Sequence, residues 1–161
     1  VEKLPSVADK DIGAVLKMVG MTLVSTVGGA GGPLYGTLFM QMGASASGKL
    51  ELTLADWTAA LEAGVNGVVM RGKANLGDKT MVDALAPAVQ ALKAAAGGSL
   101  DQALRQSERA AEKGKLETIP LVAKKGRASY LGERSAGHQD PGATSSHLLL
   151  KAAVDTWARP A

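Results

Sequence analysis

The residues best equipped for chemistry fall in three glycine-bearing loops. The first is Gly28-Gly29-Ala30-Gly31-Gly32-Pro33. The second runs from Arg71 to Asp78 and leads into Lys79 and Thr80. The third, Lys124 to Gly142, carries Arg127, Glu133, Arg134, His138 and Asp140. Each loop precedes a predicted helix, and the free amides of a helix N-terminus bind anions. Arg127 offers a planar fork suited to phosphate oxygens. Lys79 and Thr80, placed in a first helical turn, read either as ligands of an anion or as bystanders to Asp78 acting as the N-cap. His138 beside Asp140 supplies two thirds of a hydrolytic triad, but no G-x-S-x-G nucleophile elbow accompanies them. The first loop lacks the Lys-Ser/Thr ending of a P-loop, and no strand precedes it as a dinucleotide fingerprint requires. A glycine run between helices also serves simply as a tight turn that lets them pack.

The elements that must position these loops are helical. Val15, Val19, Leu23 and Val27 recur every four residues, and Leu54, Trp57, Leu61, Val65 and Val68 form a second stripe. Thr53 with Asp56 and Ser99 with Gln102 read as capping boxes. Asp78 is expected to cap a helix over Met81 to Ala96, kinked at Pro87. Asp140-Pro141 opens a last helix ending near Trp157, and Pro33 is expected at position N1 of its own helix. No segment alternates at strand length, so the fold class is all-α.

Composition narrows the function classes. The chain has 161 residues, 46% hydrophobic and 20% charged, which fits one globular domain. Cysteine is absent and only two histidines occur, so thiolate and multi-histidine metal sites are excluded. His147 reads as a packed or surface histidine, and the six methionines as core filler. Five aromatics make no stacking platform for single strands, and a net charge of +3 argues for no nucleic acid partner. That surplus lies between Asp101 and Arg134, where eight Lys/Arg face five Asp/Glu, against ten and ten elsewhere. It reads as a solvated surface or as a basic wall beside an anionic ligand. No signal peptide or membrane span is legible, and a cytoplasmic location is expected.

Four motifs, in order and over essentially the whole chain, carry a resemblance. They are Gly28-Gly29-Ala30-Gly31-Gly32-Pro33-Leu34-Tyr35-Gly36, Gly77-Asp78-Lys79-Thr80-Met81, Gly126 to Ser135, and Gly137-His138-Gln139-Asp140-Pro141-Gly142-Ala143. Together they resemble the nucleotide-binding L subunits (DhaL) of bacterial dihydroxyacetone kinases. The resemblance implies an antiparallel helical barrel or bundle with nucleotide-binding loops at one end, residues 1–161 forming a single domain. It implies ADP held as a cofactor, rephosphorylated in place by a phosphoryl carrier subunit, M. The phosphoryl group then passes to dihydroxyacetone held on a K subunit, so the L subunit is not active alone. A transcription regulator is a further partner the resemblance allows.

Carried over residue by residue, the resemblance places Ala30 and Gly31 at the nucleotide, with Gly31 where a serine is common. It places Gly72 and Met81 nearby, Met81 against adenine, Arg127 on phosphate, and Asp140, Pro141 and Gly142 in a segment closing over the nucleotide. It marks no certain catalytic residue. The family's Mg²⁺ ligands, aspartates in a G-D-x-D-H-G-like loop, have no counterpart here; no metal ligand is expected in this chain, and a missing first helix and metal loop are expected before Val1. Two other readings stand beside this one: the L-like part of an ATP-dependent ketose kinase, and a non-catalytic helical binding or regulatory module.

Overall fold

The computed structural model describes residues 11–158, and these contain helices and turns with no strand. Six α-helices are present: α1 (Ile12–Thr26), α2 (Gly31–Ser45), α3 (Leu54–Gly72), α4 (Val82–Ala94), α5 (Leu100–Glu117) and α6 (Pro141–Trp157). A 3-10 segment, Arg127–Ser135, lies within the third loop. The all-α expectation holds. The chain divides into two compact units, residues 1–73 and 74–161.

In the first unit, α2 packs between α1 and α3. The valine stripe of α1 is not what docks it. Its buried residues are Gly13 and Gly20, while Val27 stays 42% exposed. A Cβ on Gly13 would lie 2.6 Å from the carbonyl oxygen of Gly43, and one on Gly20 would lie 2.8 Å from that of Gly36. The pairs 13/43 and 20/36 run in opposite senses, so the helices are antiparallel and touch backbone to backbone. Side chains at these positions would hold the helices apart. The stripe on α3 behaves as its periodicity predicts, burying Leu61, Val65 and Val68, and Gly64 on the same helix seats against Leu38 and Met42 of α2. Its N-terminus is held by the expected capping box, Thr53 accepting from the Asp56 amide and Asp56 from the Thr53 amide. A hydrogen bond from Lys49, reinforced by those from Thr53, holds the Asp56 carboxyl down at about 2.

In the second unit, α4 lies against α5 and α6, and α5 against α6. Leu85, Ala88, Leu92, Ala103, Ala111 and Ala143 are buried there. Ser99 caps α5 by accepting from the Gln102 amide, which is one half of the expected capping box, and Asp140 caps α6 with Pro141 at its first position, as expected. Asp78 does not cap α4. That helix begins at Val82, and the carboxylate serving its first turn is Asp83, which accepts from the amides of Thr80 and Gly77.

Pro87 sits inside α4 without ending it. Proline removes the donor to the carbonyl four residues earlier, here Asp83. Gly114 of α5 is the residue brought against that carbonyl, so close that an added Cβ would overlap the oxygen. Two elements thus share one solution: α4 gives up a hydrogen bond where α5 needs room. Overpacking such a contact costs about 1–3 kcal/mol. Gly114→Ala is therefore expected to lower the urea midpoint by that order, while Gly97→Ala, where a Cβ meets nothing within 4 Å, leaves it nearly unchanged.

Candidate functional site

Each unit presents its own set of the residues singled out from sequence. In the first unit, α2 starts at Gly31 with Ala30 as its N-cap, and no side chain caps it. The leading amides of a helix have no partner inside it, so this N-terminus offers donors to an anion. Pro33 occupies the third helical position rather than the expected first, still within the turn where its missing N–H costs nothing. Glycines 31 and 32 differ sharply. A Cβ on Gly31 would meet only a Val27 methyl at 3.8 Å, whereas one on Gly32 would overlap the Val27 carbonyl. Gly32 is where the end of α1 passes under the start of α2, and Gly31 is the open position. Gly72 closes α3 and lies beside Leu34.

In the second unit, the turn before α4 is knit by carboxylates. Asp78 accepts from the Asn75 amide at 2.8 Å, and its backbone carbonyl accepts from the Lys124 amide at 3.0 Å. Lys79, which the sequence leaves open as an anion ligand or a bystander to the cap, is 3% exposed with φ at 62°. Its ammonium donates to the carbonyls of Ser135 at 2.6 Å, Leu121 at 3.0 Å and Ile119 at 3.5 Å. Sequence reasoning missed this role. The signal was a lysine at the positive end of a helix, where its charge needs an explanation.

The third loop is a structured element. Two 3-10 turns join at Gly132, whose φ is 55°. Ser135 fastens the far end, donating to the Gly132 carbonyl and accepting from the Ala123 amide. Thr118 holds the next stretch by accepting from the Asp140 amide. Arg127, at the near end of this segment, is exposed, as are Lys124, Lys125 and Arg134. His138 is exposed while Asp140 is buried with its carboxylate on the Ala143 amide, so the two do not form the start of a triad. Gly142 fits closely: a Cβ there would lie 2.9 Å from the Asp140 carboxylate and 3.2 Å from the Met81 amide. Met81, Asp140, Pro141 and Gly142 are thus brought together, with Met81 only 5% exposed. Met42 is likewise core, but Met21 and Met70 are 52% and 79% exposed and are not filler.

Burial raises the Asp140 carboxyl above its ordinary value. The amides of Ala143 and Gly142 oppose this, the Asp83 carboxylate adds to it, and Lys79 pulls it down. The remaining cluster of note is His147 with Glu108, Glu112 and Lys115. Three ligand atoms of Glu108, Glu112 and His147 lie within 4.8 Å of one another. Both ring nitrogens of His147 are already engaged, one with Glu108 at 2.7 Å and the other with the Lys115 ammonium at 3.2 Å. Lys115 supplies the positive charge that a cation would bring.

Residues 1–155 match the model of the DAK2 domain. The chain belongs to that family. The ADP-binding subunit DhaL of the PEP-dependent dihydroxyacetone kinase of Escherichia coli is 49% identical over 153 residues, covering 94% of this chain and 73% of that one. A DhaL subunit of Listeria innocua is 44% identical over 90% of this chain and 68% of its own. The L-erythrulose 1-kinase of Mycolicibacterium smegmatis is 37% identical, and the match spans 26% of it. Among solved structures, the dihydroxyacetone kinase of C. freundii superposes with a TM-score of 0.67 at 27% identity, over 91% of this chain and 24% of that one.

Within this DAK2 chain the two glycines of the first loop separate by experiment. Gly31→Ser is expected to leave stability unchanged, because the position is open, and Gly32→Ser to lose about 1–3 kcal/mol from overlap with the Val27 carbonyl. Urea denaturation of the two variants checks the contrast. Asp140 gives a second test. Its folded-state value is raised, so the folded protein binds this proton more tightly than the unfolded chain, and stability falls as pH rises through the window above 3.8. Asp140→Asn keeps an N-cap acceptor without the ionisation. Its melting temperature, followed from pH 3.8 upward, is expected to decline less than that of the parent.

Proposed function

We propose that this chain is the ADP-binding subunit of a phosphoenolpyruvate-dependent dihydroxyacetone kinase. The observation that carries the reading is the 49% identity to a subunit of that name, of which the match spans 73%. The ATP-class alternative is less favoured: identity to L-erythrulose 1-kinase and to human triokinase/FMN cyclase is 37% and 35%, over about a quarter of each. A phosphoryl carrier subunit and a dihydroxyacetone-binding subunit are the proposed partners, and the cytoplasm the proposed location. No described helix is long and apolar enough to cross a membrane.

Bound ADP supplies the terminal phosphate that accepts and then surrenders a phosphoryl group. The chain's own residues have the task of holding it. Ala30 and Gly31 present the uncapped N-terminus of α2, where amides and the helix dipole favour a phosphate. Gly72 is the third residue proposed on this unit. On the second unit, Arg127 is exposed, and its planar guanidinium would offer a bidentate fork to phosphate. Met81, Asp140, Pro141 and Gly142 form the adjoining wall, in which Asp140 shapes the turn and Gly142 leaves the space a side chain would fill.

Mg²⁺ finds no such fit among the described residues. A hard divalent ion takes clustered carboxylate oxygens, and those of Asp78, Asp83 and Asp140 are already engaged on backbone amides. The G-D-x-D-H-G-like loop that the family resemblance associates with the metal is not found in residues 1–161.

The deciding experiment supplies the full-length protein and its partner subunits with either phosphoenolpyruvate plus carrier proteins or free ATP. Turnover of dihydroxyacetone with the first alone supports this reading, and turnover with ATP alone overturns it. Arg127→Lys keeps the charge but loses the fork. It is expected to weaken ADP retention about tenfold, on the scale of one charge-assisted hydrogen bond, with the apo melting temperature unchanged. Equilibrium dialysis with ADP checks this.

A further inference from the structure

We infer that Lys79 is a positioning residue for the nucleotide site: its buried ammonium holds the Arg127–Ser135 segment and the Asp140 turn in the geometry that binds phosphate. The inference rests on the ADP-binding reading above and assigns a residue that reading leaves out.

Lys79 is 3% exposed and stands in the left-handed region, where a non-glycine residue is uncommon and is held by its surroundings. An ammonium has three donors, and all three are spent on carbonyls: Ser135, Leu121 and Ile119. These acceptors lie 40 to 56 residues further along the chain, so the interaction is tertiary and does nothing for the lysine's own turn. Ile119 and Leu121 leave α5, and Ser135 ends the segment that Arg127 begins. The Ile119 carbonyl also accepts from the Gly137 amide at 2.8 Å. The Ser135 hydroxyl bonds the Gly132 carbonyl and the Ala123 amide. Thr118 accepts from the amide of Asp140, the cap of α6. One cation therefore ties the exit of α5 and the end of the arginine-bearing segment to the turn before α4, and Thr118, at that same exit, holds the entry to α6.

A charge buried without an anionic partner in direct contact is costly, and burying it only to stabilise a loop is a poor exchange for an apolar side chain of the same volume. Its distinct property is reach and fixed geometry: three carbonyls from two stretches of backbone, residues 119–121 and Ser135, converge on one atom. Lys79 touches no nucleotide by this reading and acts through Arg127 and Asp140.

The test is a double-mutant cycle on ADP affinity in the full-length protein, with Lys79→Met, Arg127→Met and both together. Positioning predicts that Lys79→Met weakens ADP binding by about tenfold to a hundredfold, as displacement of a remote group does. It also predicts that Arg127→Met adds less than about a twofold loss on top, because strongly coupled residues are not additive. Hydrogen exchange is expected to quicken between residues 119 and 140 and to stay unchanged in α2 and α3. Losses that multiply, or unchanged exchange between 119 and 140, overturn the inference. If Lys79→Met does not fold by circular dichroism, Ser135→Ala takes its place. It loosens the same segment by removing the hydroxyl bonds to Gly132 and Ala123 while the three carbonyls keep the Lys79 ammonium, and the same cycle with Arg127→Met applies. Parent protein that binds no ADP sinks the functional reading instead, whereas parent that binds, with a weakened Arg127→Met and an unaffected Lys79→Met, sinks this inference alone.

Discussion

The second unit depends on how one buried ammonium is satisfied. Lys79 has no carboxylate in direct contact; it is surrounded by carbonyl oxygens, two of them at 3.0 Å or less. Each carbonyl is a backbone group that would itself need a donor once buried. The stretch between α5 and α6 is long and mostly irregular, so it cannot satisfy those groups by helix or ladder. Lys79, Thr118 and Ser135 do so instead, and all three are buried. Around them, Asp78 and Asp83 tie down amides of the turn before α4, and Asp140 ties down the Ala143 amide at the start of α6. Burial raises the Asp140 carboxyl, opposed first by the amides of Ala143 and Gly142 and least by Lys79.

The first unit is organised by absence of side chains. Where the second unit uses polar groups to hold backbone, α1 and α2 are joined because Gly13, Gly20, Gly36 and Gly43 let two backbones touch. Van der Waals contact between main chains needs no rotamer to be fixed, and no methylene can be added without separation. The same device returns once in the second unit, at Gly114, with Pro87 preparing the surface it meets.

Much of this was legible before any coordinates. The α3 stripe, the caps at Thr53, Ser99 and Asp140, and Pro141 at the start of α6 follow from local rules that the rest of the fold does not override. The α1 valines misled, because periodicity reports which residues are apolar but not that glycine can win a contact by closeness. Asp78 misled too: it and Asp83 both suit a cap, and the choice between them is set by the left-handed turn at Lys79, which no spacing rule announces. Of the residues proposed to hold a nucleotide, Ala30 and Gly31 were singled out by the family resemblance, while Arg127 was legible as a fork suited to phosphate and the first glycine loop as an amide-bearing helix start. Lys79, Thr118 and Ser135 were not, because their work is defined by carbonyls and amides far away in the chain.

The glycine seam has a further consequence for helix formation itself. Within 15 residues α2 contains Gly31, Gly32, Gly36 and Gly43 together with Pro33. Four glycines forfeit about 3–4 kcal/mol of helical propensity relative to alanine. A segment of that composition does not hold a helix by itself in water. It is helical because α1 and α3 lie against it. The turn between α1 and α2, where Ala30 and Gly31 present their amides, is therefore not a loop carried on two preformed rods. Its donors converge only when both flanking helices are docked, so the anion cradle proposed for this turn would form in the same cooperative step as the seam and be lost with it.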